Sequence, residues 1–286
     1  MASGNMKVIK RRIKSVESTM QITKAMQLVA SSKLRRAKEK ADRARPYFNA
    51  LYETMCEIEA ENEKFFSPFK SKGREKKHLL VVIAGDRGLA GGFNANVLKL
   101  AQAKVDELGK DNVDILAIGR KAVEYFEKRS CELIDQYINI GENMRISIAS
   151  LIADEIVTPY TQGKYESVDM FYTEYVSPIT QTAASKPILP VELRKELSVS
   201  KALPVYEPSA RAVFDSIVPK YIAGIIFGAV VDSFASEQAA RRSAMENASD
   251  NAQEMISDLS LKYNRARQSS ITQELTEIVS GAAAQE

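Results

Sequence analysis

The chain has 286 residues, of which 45% are apolar and 27% charged, room for one large or two modest domains and the composition of a protein that buries a core. A disordered chain, a collagenous one and a disulfide-stapled mini-protein are excluded. The formal charge of +3 conceals an asymmetry: residues 1–45 hold 13 Lys and Arg against three acids, a net +10, and the rest of the chain holds 27 against 34, a net −7.

From Asn5 to Arg45 there is no Gly and no Pro over 41 residues. Steps of four and three through this stretch and beyond give Ile9, Ile13, Val16, Met20, Thr23, Gln27, Ala30, Leu34, Ala37, Ala41, Ala44, Phe48, Leu51, Met55 and Ile58, of which only Thr23 and Gln27 are polar. A 3.5-residue stripe sustained this long is the pattern of a coiled-coil seam. Pro46 predicts a kink or short break near Arg45. Ile22, Ala25, Met26, Leu28 and Val29 lie off the stripe, so around Ile22–Ala30 the helix is apolar nearly all round, which predicts that protein surrounds it.

Two cysteines, Cys56 and Cys131, sit at no metal spacing, so neither a zinc site nor a disulfide framework is expected and a reducing compartment is the default. A linker is expected over 61–77. Residues 78–190 then read as a central α/β domain. Leu79–Ala84 is a buried strand run, Phe93–Leu108 has helical spacing, and Val113–Ile118 is a second strand. Arg120–Lys128 and Arg145–Thr161 read as helices and Val168–Val176 as an alternating strand. This βαβ order predicts a mainly parallel sheet covered by helices. Residues 186–208 hold Pro187, Pro190, Pro204 and Pro208 and read as a connection, with 191–208 set apart as a foot.

Ile222–Val231, the longest apolar run, has ten residues, about half of the ~20 that cross a bilayer, so no spanning helix is expected. No secretory signal is expected either, because no long apolar stretch precedes a cleavage site. Ala229–Ser280 contains 52 residues without Gly or Pro, enough for a helix of about 78 Å. Its seam reads Met245, Ser249, Ala252, Ile256, Leu259, Tyr263 and Ala266, and Ile271, Leu275, Ile278 and Ala282 continue the spacing in a shifted register. Two long helices that cannot bury their stripes alone are expected to pack on each other as an antiparallel coiled coil, with the first helix in 1–60 and the second in 209–286. The fold class is therefore mixed: that coiled coil plus a central Rossmann-like α/β domain without a nucleotide motif. The small apolar end, Ile278–Ala284, reads either as a frayed tail or, together with the all-round apolar stretch of the first helix, as a rod end inside a sleeve made by other chains.

Gly85-Asp86-Arg87-Gly88-Leu89-Ala90-Gly91-Gly92 lies between a strand and a helix, where phosphate loops occur. Neither G-x-G-x-x-G nor G-x-x-x-x-G-K-[ST] fits it in any register, which favours a structural turn or a protein-contact surface, with Arg87 as an exposed contact to an acidic partner. His78, the single histidine, opens a strand and lies near no Gly-x-Ser-x-Gly turn, so no hydrolytic triad is expected. No catalytic residue, metal site or cofactor is assigned. The +10 segment admits three readings: a solvated charged face, docking to acidic protein surfaces, or nucleic acid. Against nucleic acid, no aromatic precedes Tyr47 and the basic residues share a helix with an uninterrupted stripe.

Three stretches, IKRRIKSVESTMQITKAMQLVASSKLRRA (9–37), AGDRGLAGGFNANV (84–97) and SEQAARRSAMENASDNAQEMISDLSLKYNRARQSSITQELTEIVSGAAA (236–284), resemble the γ subunit of the rotary ATP synthase. The likeness runs from Lys7 to the C-terminus and favours a bacterial form, since the cysteine-bearing insertion of the chloroplast members is missing. The resemblance implies a non-catalytic rotor. Its terminal helices would form the central shaft inside a hexamer of α and β subunits, and the β subunits would carry the nucleotide chemistry. It implies ion transport through a c-ring coupled to ATP synthesis or hydrolysis, at the cytoplasmic face of the cell membrane, with membrane contact only through the c-ring.

Residue by residue, Arg267 and Gln268 match the family's pair that hydrogen-bonds a β-subunit loop, with Thr272 and Glu274 nearby. Met26 matches a position beside which added charge disturbs coupling. Lys24, Lys33, Arg35 and Arg36 are candidate partners of an acidic β-subunit lever. Leu203–Pro208, with Tyr206 and Glu207, would form the foot that meets the ε subunit and the c-ring. The alternative is a basic coiled-coil protein that binds nucleic acid or serves as a structural interaction module.

Overall fold

The computed structural model describes residues 2–61, 66–73, 75, 77–193 and 205–283, without the side chains of 2–5, 61 and 281–283. It divides into two compact units, residues 31–241 and residues 1–30 with 242–286, and the division falls inside the two long helices.

The larger unit is built on a five-stranded sheet in the order β3-β2-β1-β4-β5. β1 (His78–Ile83) and β2 (Val113–Ile118) are buried along their whole length except His78. Asp114 of β2 apart, the buried positions form continuous apolar runs because helices cover both faces of the sheet. Leu79, Val81 and Ile83 point into one core with α4 (Ile146–Thr161) and with residues of α1 (Ala2–Glu61) and α5 (Ala210–Ala283). Leu80, Val82 and Ala84 point the other way, against α2 (Phe93–Leu108) and α3 (Arg120–Glu127). The period-two alternation of a strand thus divides six consecutive apolar residues between two cores. Each fully buried Leu, Ile or Val contributes about 1.5–3 kcal/mol relative to an exposed one.

β1 pairs in parallel with β2 and with β4 (Ser167–Tyr175), and β2 pairs in parallel with β3 (Glu132–Tyr137). β5 (Gln181–Leu189) is antiparallel to β4. The edge strands β3 and β5 lie where no strand is expected from the sequence pattern. Residue 187, expected in a connection, lies inside β5 opposite Asp169. An edge strand bonds on one side only, so a proline without an N–H is tolerated there.

α5 begins at Ala210, well upstream of the Gly- and Pro-free stretch, and carries Pro219, Gly224 and Gly228 within it. By length and composition it holds a stretch apolar enough to cross a membrane, contrary to expectation, but half of that stretch is buried inside the protein. Phe214, Val218, Ile222, Ile226 and Val230 spend it on the core. α1 also departs from expectation: it is helical from Ala2 to Glu61 with Pro46 inside it, and no break interrupts it.

In the smaller unit Ile9, Ile13, Val16, Met20, Thr23, Gln27 and Ala30 of α1 are buried or half-buried, and most positions between them are exposed. On α5 the same holds for Met245, Ser249, Ala252, Ile256, Leu259, Tyr263 and Ala266, and the phase continues to Ser270, which is buried. The shifted register does not take over the seam. Ile271, Leu275 and Ile278 are 49%, 58% and 68% exposed. The seam therefore keeps a small polar residue, and the larger apolar ones face away from it.

Candidate functional site

Thr23, one of the two polar interruptions of the stripe, is buried, and its Oγ1 lies 2.6 Å from Ser249 Oγ. Each hydroxyl also reaches a carbonyl of its own helix, Thr23 to Met20 at 3.0 Å and Ser249 to Met245 at 2.9 Å. A hydroxyl has one proton, so one of the two donates across the seam while the other donates along its own helix, and both are satisfied. Removing both hydroxyls together is close to neutral by this argument, whereas removing one strands little because a carbonyl remains. The expected outcome is that Thr23→Val combined with Ser249→Ala changes stability by less than about 1 kcal/mol. A double-mutant cycle in urea checks it, and a larger loss would mean that the pair fixes register.

Away from the seam the same unit exposes large apolar side chains: Ile22, Leu28 and Val29 on α1, and Leu261, Ile271, Leu275 and Ile278 on α5. Arg267, Gln268, Thr272 and Glu274 are all exposed along one stretch of α5. Thr272 Oγ1 donates to the Gln268 carbonyl at 3.0 Å, and Glu274 accepts from Ser270 Oγ at 3.3 Å. Met26 is half-buried and Lys24 exposed. These residues are brought onto helix surfaces.

In the larger unit Lys33 is engaged by Glu142. Arg35 faces Glu39 at 3.8 Å on the exposed helix surface, a pairing that contributes little. Arg36 is exposed. Burial first, and then the neighbouring Arg145 charge, lower the Lys40 ammonium from its ordinary value. Tyr206 is half-buried and Glu207 exposed. Leu203 and Pro204, part of the expected foot, lie outside the described residues.

The glycine cluster is organised as a structural turn. Gly85 N donates to Asn94 Oδ1 at 2.8 Å, and Asn94 Nδ2 donates back to the Arg87 carbonyl at 3.0 Å. Asp86 Oδ1 accepts from the backbone N–H groups of Arg120 at 3.0 Å and Asn139 at 2.9 Å, tying three loops together. From α5, Arg241 donates to the Gly88 carbonyl at 3.1 Å and to Glu237 Oε1 at 2.6 Å. Burial pushes the Glu237 carboxyl up and Arg241 opposes it. The space under the loop, with Glu237 on its wall, is about 20 Å³, room for about one water and not for a phosphate group. A phosphate cradle needs room and free N–H groups, and here a carboxylate occupies the wall. Arg87 and Leu89 are exposed at the tip.

The Glu237–Arg241 clamp escaped the sequence reading, although its i,i+4 spacing is visible there. Also missed was the buried Asp114, held by Lys77 Nζ at 2.6 Å, Tyr165 OH at 2.8 Å and Lys164 Nζ at 3.3 Å. Among the described residues no group of three or more His, Cys, Asp or Glu side chains is placed to hold a metal ion.

Comparison with known proteins accounts for this arrangement over nearly the whole chain. The family whose model matches residues 5–285 is described as ATP synthase. The ATP synthase gamma chain of Ruminococcus albus is 54% identical over 281 residues, covering 98% of each chain. The gamma chain of Acetobacterium woodii, named as sodium ion specific, is 37% identical over 98% of each. Among solved structures, the central stalk and c-ring of the Tetrahymena thermophila mitochondrial ATP synthase contains a chain with TM-score 0.62 and 26% identity, covering 80% of this chain and 99% of that one. A chain of the Euglena gracilis mitochondrial enzyme shares the fold, with TM-score 0.68 at 17% identity over 99% of this chain and 95% of that one. With the whole length matched by curated gamma chains, this chain belongs to the ATP synthase gamma-chain family, the central stalk of the F-type enzyme.

Proposed function

We propose that the chain works as the non-catalytic shaft of a bacterial F-type ATP synthase, its terminal helices paired as an antiparallel coiled coil inside a hexamer of α and β subunits. The observation that carries this reading is that the smaller unit is apolar outside its seam as well as along it: Ile22, Leu28, Val29, Ile271, Leu275 and Ile278 are exposed. A helix pair with apolar residues on its outer surface fits a sleeve of other chains better than water. In this reading the shaft comprises 1–60 and 209–286, a linker 61–77 leads to a Rossmann-like domain of 78–190, and 191–208 completes a foot for the ε subunit and c-ring. The strand order 3-2-1-4-5 supports the Rossmann-like description. Tyr206 and Glu207 belong to that foot, and the complex sits on the cytoplasmic face of the membrane, which this chain touches only through the c-ring.

Coupling then requires contacts strong enough to carry torque and weak enough to break at each step. Arg267 and Gln268, with Thr272 and Glu274, would grip a β-subunit loop, since a guanidinium fork holds a carboxylate or carbonyl with geometric specificity. Lys24, Lys33, Arg35, Arg36 and Arg87 would face the acidic lever of a β subunit, and Met26 would mark the position beside which an added charge disturbs coupling. Of the cations, Lys33 must first leave Glu142.

Arg267→Ala tests the grip. It is expected to lower ATP hydrolysis by the assembled complex roughly tenfold, the value of about one charge-assisted hydrogen bond, while the circular dichroism of the isolated chain stays unchanged because the side chain is exposed. An undiminished rate with intact coupling would remove Arg267 from the mechanism.

A further inference from the structure

Within the larger unit a cavity of about 470 Å³ opens between α1, α5 and the β4–β5 edge of the sheet. Its walls are aromatic: Phe48 and Phe227 lie 6.0 Å apart between ring centroids, Tyr52 and Tyr221 are stacked at 5.5 Å, and Tyr172 closes the sheet side. Glycine makes the room. A Cβ at Gly228, which lines the cavity, would meet no heavy atom within 4 Å, whereas one at Gly224 would strike the Phe48 ring at 2.1 Å.

The charged groups of the lining are not equivalent. Arg45 faces Asp42 at 3.6 Å, and Lys186 also has a partner. Asp232, on α5, has no hydrogen-bond or ion-pair partner among the described residues and feels Arg45 only through space. Burial pushes its carboxyl upward, opposed first by the Arg45 charge and then reinforced by the smaller effects of Glu174 and Asp42. A half-buried carboxylate that forms no ion pair among the described residues, in a cavity lined by aromatic rings, is an arrangement that can recognise an organic ammonium ion, by charge at one side and cation–π attraction at the others. The volume falls in the range of small-molecule sites with few polar groups and apolar walls.

We propose that this cavity binds a small organic cation, a ring-bearing tertiary or quaternary ammonium, with Asp232 as its counter-ion and the rings of Tyr52, Tyr172, Tyr221 and Phe227 as its cage. The proposal stands apart from the shaft reading, since it uses none of the residues assigned to β-subunit contacts. A ligand wedged where α1, α5 and the sheet meet would act on the joint between the long helices and the sheet.

The test uses the full chain assembled with its α and β subunits and benzyltrimethylammonium as probe, read by saturation-transfer NMR. Binding is expected with a Kd of about 1 mM or below, weakened by roughly tenfold or more in Asp232→Asn and again in Gly228→Leu, placed where an added Cβ meets no heavy atom within 4 Å. Benzenesulfonate, of similar size and opposite charge, is expected not to compete. The proposal is overturned by absence of binding up to about 10 mM. It is equally overturned by either variant keeping the parent affinity, or by the sulfonate binding as well as the ammonium.

Discussion

Replacing Asp114 by alanine is expected to destabilise the chain by about 3–5 kcal/mol, the loss typical of breaking a buried ion pair from one side. The side chain is fully buried, yet it lies on β2 in the middle of the sheet. Burial alone would raise its carboxyl. The hydrogen bonds from Lys77, Tyr165 and Lys164 outweigh that effect, and the net shift is downward. Without the carboxylate, the Tyr165 hydroxyl, on a ring that is itself fully buried, loses its acceptor, and the two ammonium groups face each other.

The sign for pH follows directly. A carboxyl whose folded value is depressed adds stability above its unfolded value, about 3.9, and loses it as pH falls through the lower folded value. The Lys77 and Lys164 ammonium groups are raised, chiefly by hydrogen bonds to Asp114 and Tyr165 respectively. Their contribution is complete below their unfolded value of about 10.4 and is lost as pH rises through the folded one. Urea unfolding of the parent and of Asp114→Ala at neutral pH and near pH 3 is therefore expected to show a gap that narrows in acid. A neutral-pH loss below about 1 kcal/mol would show that the network is dispensable.

Gly119→Ala is expected to be at least as damaging as a typical strained-backbone variant, about 3 kcal/mol or more. Gly119 joins β2 to α3 with φ of +95°, and a Cβ there would lie 2.0 Å from the Ala84 carbonyl oxygen. The obstacle is backbone on both sides. Gly119 N donates to the Tyr137 carbonyl at 2.7 Å, and Ala84 N donates to Ile118 at 2.8 Å, so neither strand end is free to retreat. Gly88→Ala is the matched control. It lies in the nearby glycine cluster, a Cβ there meets nothing within 4 Å, and it is expected to change stability by less than about 0.5 kcal/mol. Thermal unfolding of both variants separates the two cases, and equal behaviour would contradict the backbone argument.

The long stripe of α1 was legible because a 3.5-residue period over so many turns has few explanations, and the residues it selects are those that lose exposure. β1, β2 and β4 were legible for a similar reason, each being apolar or alternating through its length. β3 and β5 were not. Their sequences, ELIDQY and QTAASKPIL, leave one edge open and so carry Glu132, Gln136 and Lys186 where a central strand would carry Val or Ile. Pro46 misled about helix continuity, because α1 draws its stability from packing rather than from local propensity, and α5 likewise runs on through Pro219. The shifted apolar register at Ile271, Leu275 and Ile278 looked like a seam because period alone does not say which face meets the partner.

Asp114 and the Glu237–Arg241 clamp could not be paired from sequence, since their partners come from distant elements or from a spacing common to any charged helix. The exposed residues Arg267, Gln268, Thr272 and Glu274 present the reverse case. Family resemblance selects them, while the chain alone gives Gln268, Thr272 and Glu274 only local hydrogen bonds.

The central claim is that this chain turns. Assembled with α and β subunits, with the hexamer fixed to a surface and a bead attached to the sheet domain, it is expected to rotate in one direction on addition of ATP, pausing at thirds of a turn. A complex that assembles and hydrolyses ATP while the bead shows only undirected fluctuation would contradict the account.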